Sequence, residues 1–258
     1  MTPGADGSPE RLLRRGDDPG LTALGILADC GRRSESPPQI NMSSPHRLLS
    51  LFAVLTGLLA GCSDPAEQVH KSAAAAPKPT AAGTAVDGTE YVIRAGSKIG
   101  FTGSKVTGSH DGGFTNFAGS FRIADGKLVG SPELKIAMKS AWSDNERLTG
   151  HLLSPDFFGV QEFPVAVFTV TSVEPEGPRH SVTGNLNLHG VTKSVSFPAD
   201  IQVGADAVTL KAEFAINRRD FNINFPGKPN DLIRDNVVLR LDVKATPGAA
   251  KPEDQISL

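Results

Sequence analysis

The sequence predicts an all-β domain of about eight antiparallel strands carrying one short helical insert. Three observations lead there. Apolar residues alternate with polar ones along most of the chain after residue 88. Short turn signals separate these runs. One segment, Ser143 to Pro164, changes to helical spacing. Period-two alternation places every second side chain on one face of a strand, so each run has an apolar and a polar side. "SVSFPADIQV" puts Val195, Phe197, Ala199, Ile201 and Val203 on one face. "AVTLKAEFAIN" does so with Val208, Leu210, Ala212, Phe214 and Ile216, and "NVVLRLDVKA" with Val237, Leu239, Leu241 and Val243. "SPELKIAMKS", "HSVTGNLNLHG", "YVIRAGSKIGFTGSKV", "GGFTNFAGSFRI" and "PVAVFTVTSV" complete the set. "ADGK", "EPEGP", "LHGVT" and "VGAD" supply turns for a meander. Either a sandwich of two sheets or one sheet closed into a barrel buries such faces, and only closure removes both edges.

Eight strands is also the number at which a barrel interior is either just filled or able to hold one small ligand. The expected lining is apolar and rich in phenylalanine: Phe101, Phe117, Phe121, Ile136, Met138, Phe168, Phe197, Phe214 and Leu239. The chain holds 13 Phe against one Trp and one Tyr, a bias towards aromatic surface without a polar handle.

The helical insert "SDNERLTGHLLSPDFFGVQEFP" gathers Asp144, Glu146, Arg147, His151 and Asp156. Ser143 and Glu146 have capping-box spacing, and Leu148 and Leu152 fall four apart on one helix face. Pro155 opens a second short turn that Gly159 ends. Arg147 is expected to pair with Asp144 or Asp156, and Phe157 and Phe158 to close or line one end of the barrel. No zinc spacing, nucleophile–base pair, phosphate loop or dinucleotide fingerprint is present, so no catalytic residue, metal site or cofactor is assigned. In "NRRDFNINFPGKPN", Arg219 with Arg147 is a candidate partner for an anionic head group, the alternative being a solvated loop with an aromatic anchor.

The segments outside the domain have a different chemistry. Met42 to Cys62, "MSSPHRLLSLFAVLTGLLAGC", has the short apolar run of a secretory signal and ends in "LAGC". That ending resembles the bacterial lipobox, which implies cleavage and lipidation at Cys62 with residues 42–61 removed. Residues 1–41 lack periodicity and precede this signal, so Met42 is read as the true start and 1–41 as a misassigned, disordered extension. Residues 62–88 are rich in Ala, Pro, Gly, Ser and Thr and are expected to be a flexible tether; residues 247–258 are expected to be a disordered tail. Ser63, by resemblance to bacterial sorting rules, points to the outer membrane before the inner. With a net charge of -2 and no basic cluster, nucleic acid is not an expected partner. Two cysteines, Cys30 and Cys62, exclude a disulfide scaffold.

Over residues 89–246 the chain resembles the YceI-like family. The resemblance rests on "SKIGFTGSKV", "FTNFAGSFRI", "SDNERLTGHLLSPDFFGVQEFP", "GNLNLHGVTKSV", "FAINRRDFNI" and "NVVLRLDVKA" in that order. Gly159 departs from the acidic residue often found after the paired phenylalanines. The resemblance implies an eight-stranded, lipocalin-like barrel that binds a polyisoprenoid or similar long lipid, in a periplasmic or secreted protein; with the lipobox-like ending at Cys62 the expectation is an envelope lipoprotein on the periplasmic side. Two other readings are carried forward: a hydrolase or isomerase acting on such a lipid, and a filled barrel serving as an adhesion or partner-binding module.

Overall fold

A computed structural model describes residues 64–80, 87–204 and 206–257. Fourteen strands and one helix are found among them. These are β1 (His70–Ser72), β2 (Thr89–Ile93), β3 (Lys98–Lys105), β4 (Gly108–Phe114), β5 (Phe117–Ala124), β6 (Lys127–Ala137) and β7 (Ala141–Ser143). Helix α1 (Glu146–Leu153) follows, then β8 (Val165–Glu176), β9 (Arg179–Leu188), β10 (Val191–Val203), β11 (Val208–Asn217), the small pair β12 (Gly227–Lys228) and β13 (Asp231–Leu232), and β14 (Asn236–Pro247).

The strands close into an eight-stranded antiparallel barrel. β2 and β3 both pair with β14, β4 and β5 pair with β3 and β2 in turn, and β6 and β7 pair with β5 and β4. Each of these couples therefore acts as one long stave with a bend. The meander continues through β8, β9, β10 and β11, and β11 pairs with β14 from Val208↔Ala245 to Asn217↔Asn236, which closes the ring. The turns match their sequences. His189 and Gly190 both have positive φ, 51° and 73°, the two left-handed residues that a tight hairpin between Leu188 and Val191 requires.

The bends lie side by side and are stitched by side chains. Where β2 gives way to β3, Ser97 Oγ accepts a hydrogen bond from Lys244 N at 3.0 Å and so replaces a missing ladder partner of β14. Where β6 gives way to β7, Ser140 Oγ accepts from Asn116 N at 3.0 Å. Met138, expected in a strand, occupies a short 3₁₀ turn at this bend and is 2% exposed.

Two apolar clusters divide the interior. The first, around Val182, Val195, Phe197, Phe214 and Ile216, fills the middle of the barrel. The second, around Phe101, Leu152, Phe157 and Ile223, plugs the end that carries α1.

Two local expectations are corrected. Asn145, not Ser143, caps α1 by accepting from Leu148 N at 3.0 Å; Ser143 ends β7 and its hydroxyl is held by Asn145 O and Thr149. Asp144 pairs with His110 at 2.8 Å and Asp156 with His151 at 2.9 Å, so neither pairs with Arg147, which is exposed on α1.

The larger correction concerns the segments flanking the domain. Over 64–80 the expected free tether is paired to the barrel wall. Below Ala199, β10 parts from β11, and β1 enters the gap, parallel to β11 with His70 opposite Phe214. Ser196 N donates to Ser72 Oγ at 3.0 Å, Ala75 bridges Ser194, and the side chain of Asn185 binds both N and O of Lys78. The reason is backbone satisfaction: donors that β10 and β11 no longer offer each other are taken up by a third strand. The tail likewise packs down, with Asp254 accepting from Arg94 at 2.7 Å and Asn116 donating to Ser257 O at 2.9 Å. The expected signal segment 42–61, Cys62 and residues 1–41 lie outside the described residues.

Candidate ligand site

The half of the barrel away from α1 holds a cavity of about 770 Å³. Its walls are alternate residues of nearly every stave, including Phe121, Ile123, Leu134, Phe168, Val182, Phe197, Leu210 and Leu241. It reaches the rim formed by the β5–β6, β8–β9 and β10–β11 turns, where Gly126, Pro175 and Val203 line it. The volume is that of a small-molecule site, and an apolar wall of this kind favours a ligand by removing hydrocarbon from water. Phe168 reaches over Gly184, where a Cβ would stand 2.4 Å from its Cζ; the bare glycine gives the ring its place.

The lining expected from alternation is therefore divided between two places. Phe121, Phe168 and Phe197 border the cavity. Phe214 stacks on Phe197 with centroids 4.1 Å apart, beneath the cavity floor, and Leu239 packs against both interior clusters. Phe101, Phe157 and Phe158 belong to the plug at the α1 end, where the rings of Phe101 and Phe158 meet at 6.3 Å. Phe117 and Ile136 face each other across β5 and β6 near the bend, and Met138 is buried at it. Arg147 and Arg219 both sit at the α1 end and neither borders the cavity; Arg219 is held by Asp235 at 2.6 Å.

One polar side chain stands out on the wall, and sequence reasoning did not single it out. His180 faces inward on β9 in line with Val182, and its Nδ1 is buried with no hydrogen-bond partner. The signal was present: in "HSVTGNLNL" His180 falls on the same alternate face as Val182, Leu186 and Leu188.

Elsewhere the titratable groups serve the frame. The His110–Asp144 and His151–Asp156 pairs are exposed and stand off the cavity. The His110 side chain, with Asp111 N, holds the Asp144 carboxyl below the usual carboxylate range. Among the described residues no group of His, Cys, Asp and Glu is arranged to hold a metal ion. A second, larger depression of about 1530 Å³ lies on the outer wall at the bends, but Lys98, Lys211, Glu213, Arg240 and Asp242 line it and it is open. It offers water and charge where the internal cavity offers hydrocarbon.

An eight-stranded antiparallel barrel with an apolar internal cavity, plugged at one end by a helix, defines a class of binding fold. The YceI-like domain matches residues 91–245, more than half of the chain, and the protein belongs to that family. It is 34% identical over 125 residues to a UPF0312 protein of Pseudomonas putida, a match covering 45% of this chain and 65% of that protein. It is 36% identical over 120 residues to Protein YceI of Salmonella arizonae, covering 43% and 62%. The chain thus spans somewhat less than two thirds of the length of these relatives. Among solved structures, BcnA of Burkholderia cenocepacia superposes with a TM-score of 0.54 at 22% identity, over 59% of this chain and 98% of that one. A polyisoprenoid binding domain from Saccharophagus degradans, implicated in plant cell wall breakdown, superposes at 0.52 with 17% identity, over 63% and 100%. At these identities the likeness shows a shared fold.

Proposed function

We propose that this protein binds a long apolar molecule of the polyisoprenoid kind inside its barrel and carries or sequesters it in the cell envelope. The observation that carries the proposal is the cavity of about 770 Å³, large enough for a lipid chain and lined mainly by apolar side chains, with Lys127, Glu133 and Glu174 also on its lining. The polyisoprenoid binding described for the Saccharophagus domain supports the choice of ligand class, since the two share a fold. His180 gives the ligand a polar end: a hydroxyl, carbonyl or phosphate oxygen at the imidazole would satisfy a group that the protein leaves unpaired. Arg147 and Arg219 would meet a head group only if the ligand emerged through the plugged end.

We read the protein as a carrier, not an enzyme, because its His–Asp pairs stand off the cavity. The lipobox-like ending at Cys62 supports a lipid-anchored protein of the periplasmic side, at the outer membrane before the inner.

Native mass spectrometry of the protein purified from membranes tests the reading: a co-purifying lipid that leaves on denaturation is expected. In the same experiment, a long-chain prenol should bind more tightly than the hydrocarbon of equal length, and His180→Phe should reduce that preference roughly tenfold, the worth of one hydrogen bond. A protein that takes up neither probe refutes the carrier.

A further inference from the structure

We infer that the α1 end of the barrel lies flat on a lipid surface, with Val106 and Leu232 entering it and the cavity mouth turned away. The inference rests on lipidation at Cys62, proposed above, and adds to it an orientation that an anchor alone does not impose.

Two observations meet at this end. Val106, at the β3–β4 turn, is 55% exposed, and Leu232, on β13, is 50% exposed. They are neighbours: Val106 N donates to Leu232 O at 3.2 Å, and Lys105 bridges Ile233 beside them. Of the four large apolar side chains exposed among the described residues, these two are backbone neighbours, whereas Val203, 56% exposed, stands on the cavity rim and Trp142, 44%, on β7.

The second observation is where the chain enters the barrel. Asp64 is seated at this same tip, with its carboxylate 3.5 Å from Ser104 Oγ and 3.5 Å from Arg234 Nη1. It caps the 3₁₀ turn Pro65–Gln68 by accepting from Ala66 N at 3.0 Å, and Ala66 is packed on Ala215 and Val238. One residue, Ser63, separates Asp64 from Cys62, so the chain joining them can reach no further than about 7 Å. Acyl chains on Cys62 would enter the bilayer beside Val106 and Leu232. A free tether from 62 to 88 would let the barrel tumble, but the strand pairing of residues 70–75 removes that freedom.

The charges beside the apolar pair are matched, Lys105 with Asp231 at 2.5 Å and Arg234 with Asp64, which leaves the exposed Lys228 and Arg147 as the cations of this end. Attachment through Val106 and Leu232 should therefore persist in high salt. The cavity rim belongs to the other end. β14 spans the two with 12 residues, about 40 Å along the strand and about 30 Å along a tilted barrel axis. Ligand would thus exchange with an aqueous partner or a facing membrane, not with the bilayer that holds the anchor.

Hydrogen–deuterium exchange on vesicles of phosphatidylethanolamine and phosphatidylglycerol tests the orientation. Two forms are used: the natural protein, whose Cys62 is first inspected for acyl chains by mass spectrometry, and a form in which a histidine tag replaces residues 1–61, held by nickel-chelating lipid. Amides of residues 105–107 and 231–233 should exchange several-fold more slowly on vesicles than in solution, in high salt as in low, with the 203–208 rim unchanged. Val106→Asp with Leu232→Asp should abolish the slowing while the protein stays attached. Unchanged exchange at the tip, or slowing at the rim instead, overturns the inference. An unacylated Cys62 overturns the lipoprotein reading alone, because the tagged form still reports whether this face docks.

Discussion

Arg218 holds the loop between β11 and β14 from the inside. Its guanidinium, 4% exposed, donates to the carbonyls of Arg234, Ile223 and Ile233 at 3.0, 2.6 and 3.2 Å and lies 3.4 Å from Asp235. Burial lowers its pKa from the usual arginine value, but guanidinium titrates too high for the charge to be lost. The planar fork of five donors suits three carbonyls that face one another. Arg218→Met should cost about 3 kcal/mol, because it strands buried acceptors. Arg219→Ala, at an exposed pair with Asp235, should cost under about 1 kcal/mol. Denaturant midpoints of the two variants check the contrast. The sequence shows two adjacent arginines, and nothing local says which is buried; a 3₁₀ turn over Arg218–Phe221 directs one inward and the other out.

At the scale of elements, β1 decides how the wall is completed. Its pairing stands in for β10 where β10 parts from β11, and Asn185 binds the backbone of Lys78 at both ends, as a strand would. Asn185→Ala should cost about 1–3 kcal/mol through unpaired groups on a nearly buried face. Removing residues 64–80 should lower Tm by roughly 5–10 °C, the loss of about 2–3 kcal/mol. Thermal unfolding of both variants checks this, and an unchanged Tm on removal would mean the segment only rests on the wall. A trace of this docking was legible. Ala215 and Val238 are apolar on faces that alternation assigns to solvent, and Ala66 and Val69 cover them. The low-hydrophobicity composition of 62–88 pointed the other way, because pairing by backbone makes no demand on side chains. The helix was legible in its leucine spacing, whereas its cap was not, since Ser143 and Asn145 are both good caps and the end of β7 settles the choice.

For the whole molecule, three carboxylates clip outlying parts to the barrel, Asp144 half exposed and Asp231 and Asp254 largely covered. Asp144 is held low by the His110 side chain, Asp231 by the Lys105 side chain, and Asp254 first by Lys251 N and then by Arg94. They join the α1 entrance to β4, the β12–β13 hairpin to β3, and the tail to the first bend. A depressed folded-state pKa gives stability that is present above the ordinary carboxylate value and lost as pH falls through the lower one. Tm should therefore vary little with these groups above about pH 5 and decline below about pH 4. Hydrogen exchange should show the hairpin and the tail loosening in acid before the barrel staves. Equal protection of all parts at pH 3 and pH 6 would count against the clips.

By itself the sequence determined most of the strands, the turns, the helical insert and the apolar inner face, because each depends on neighbours two to four residues away. It also carried the family motifs that span the barrel. Only the tertiary structure decided which apolar residues fill and which enclose. Phe157 and Phe158, with Phe101, plug one end, while Phe121, Phe168 and Phe197 face the cavity at the other. Alternation gives a side chain its face but not its height along the barrel axis, and height separates plug from cavity. The same limit hid His180, whose unpaired nitrogen acquires meaning only when it is seen on the wall of a mainly apolar cavity.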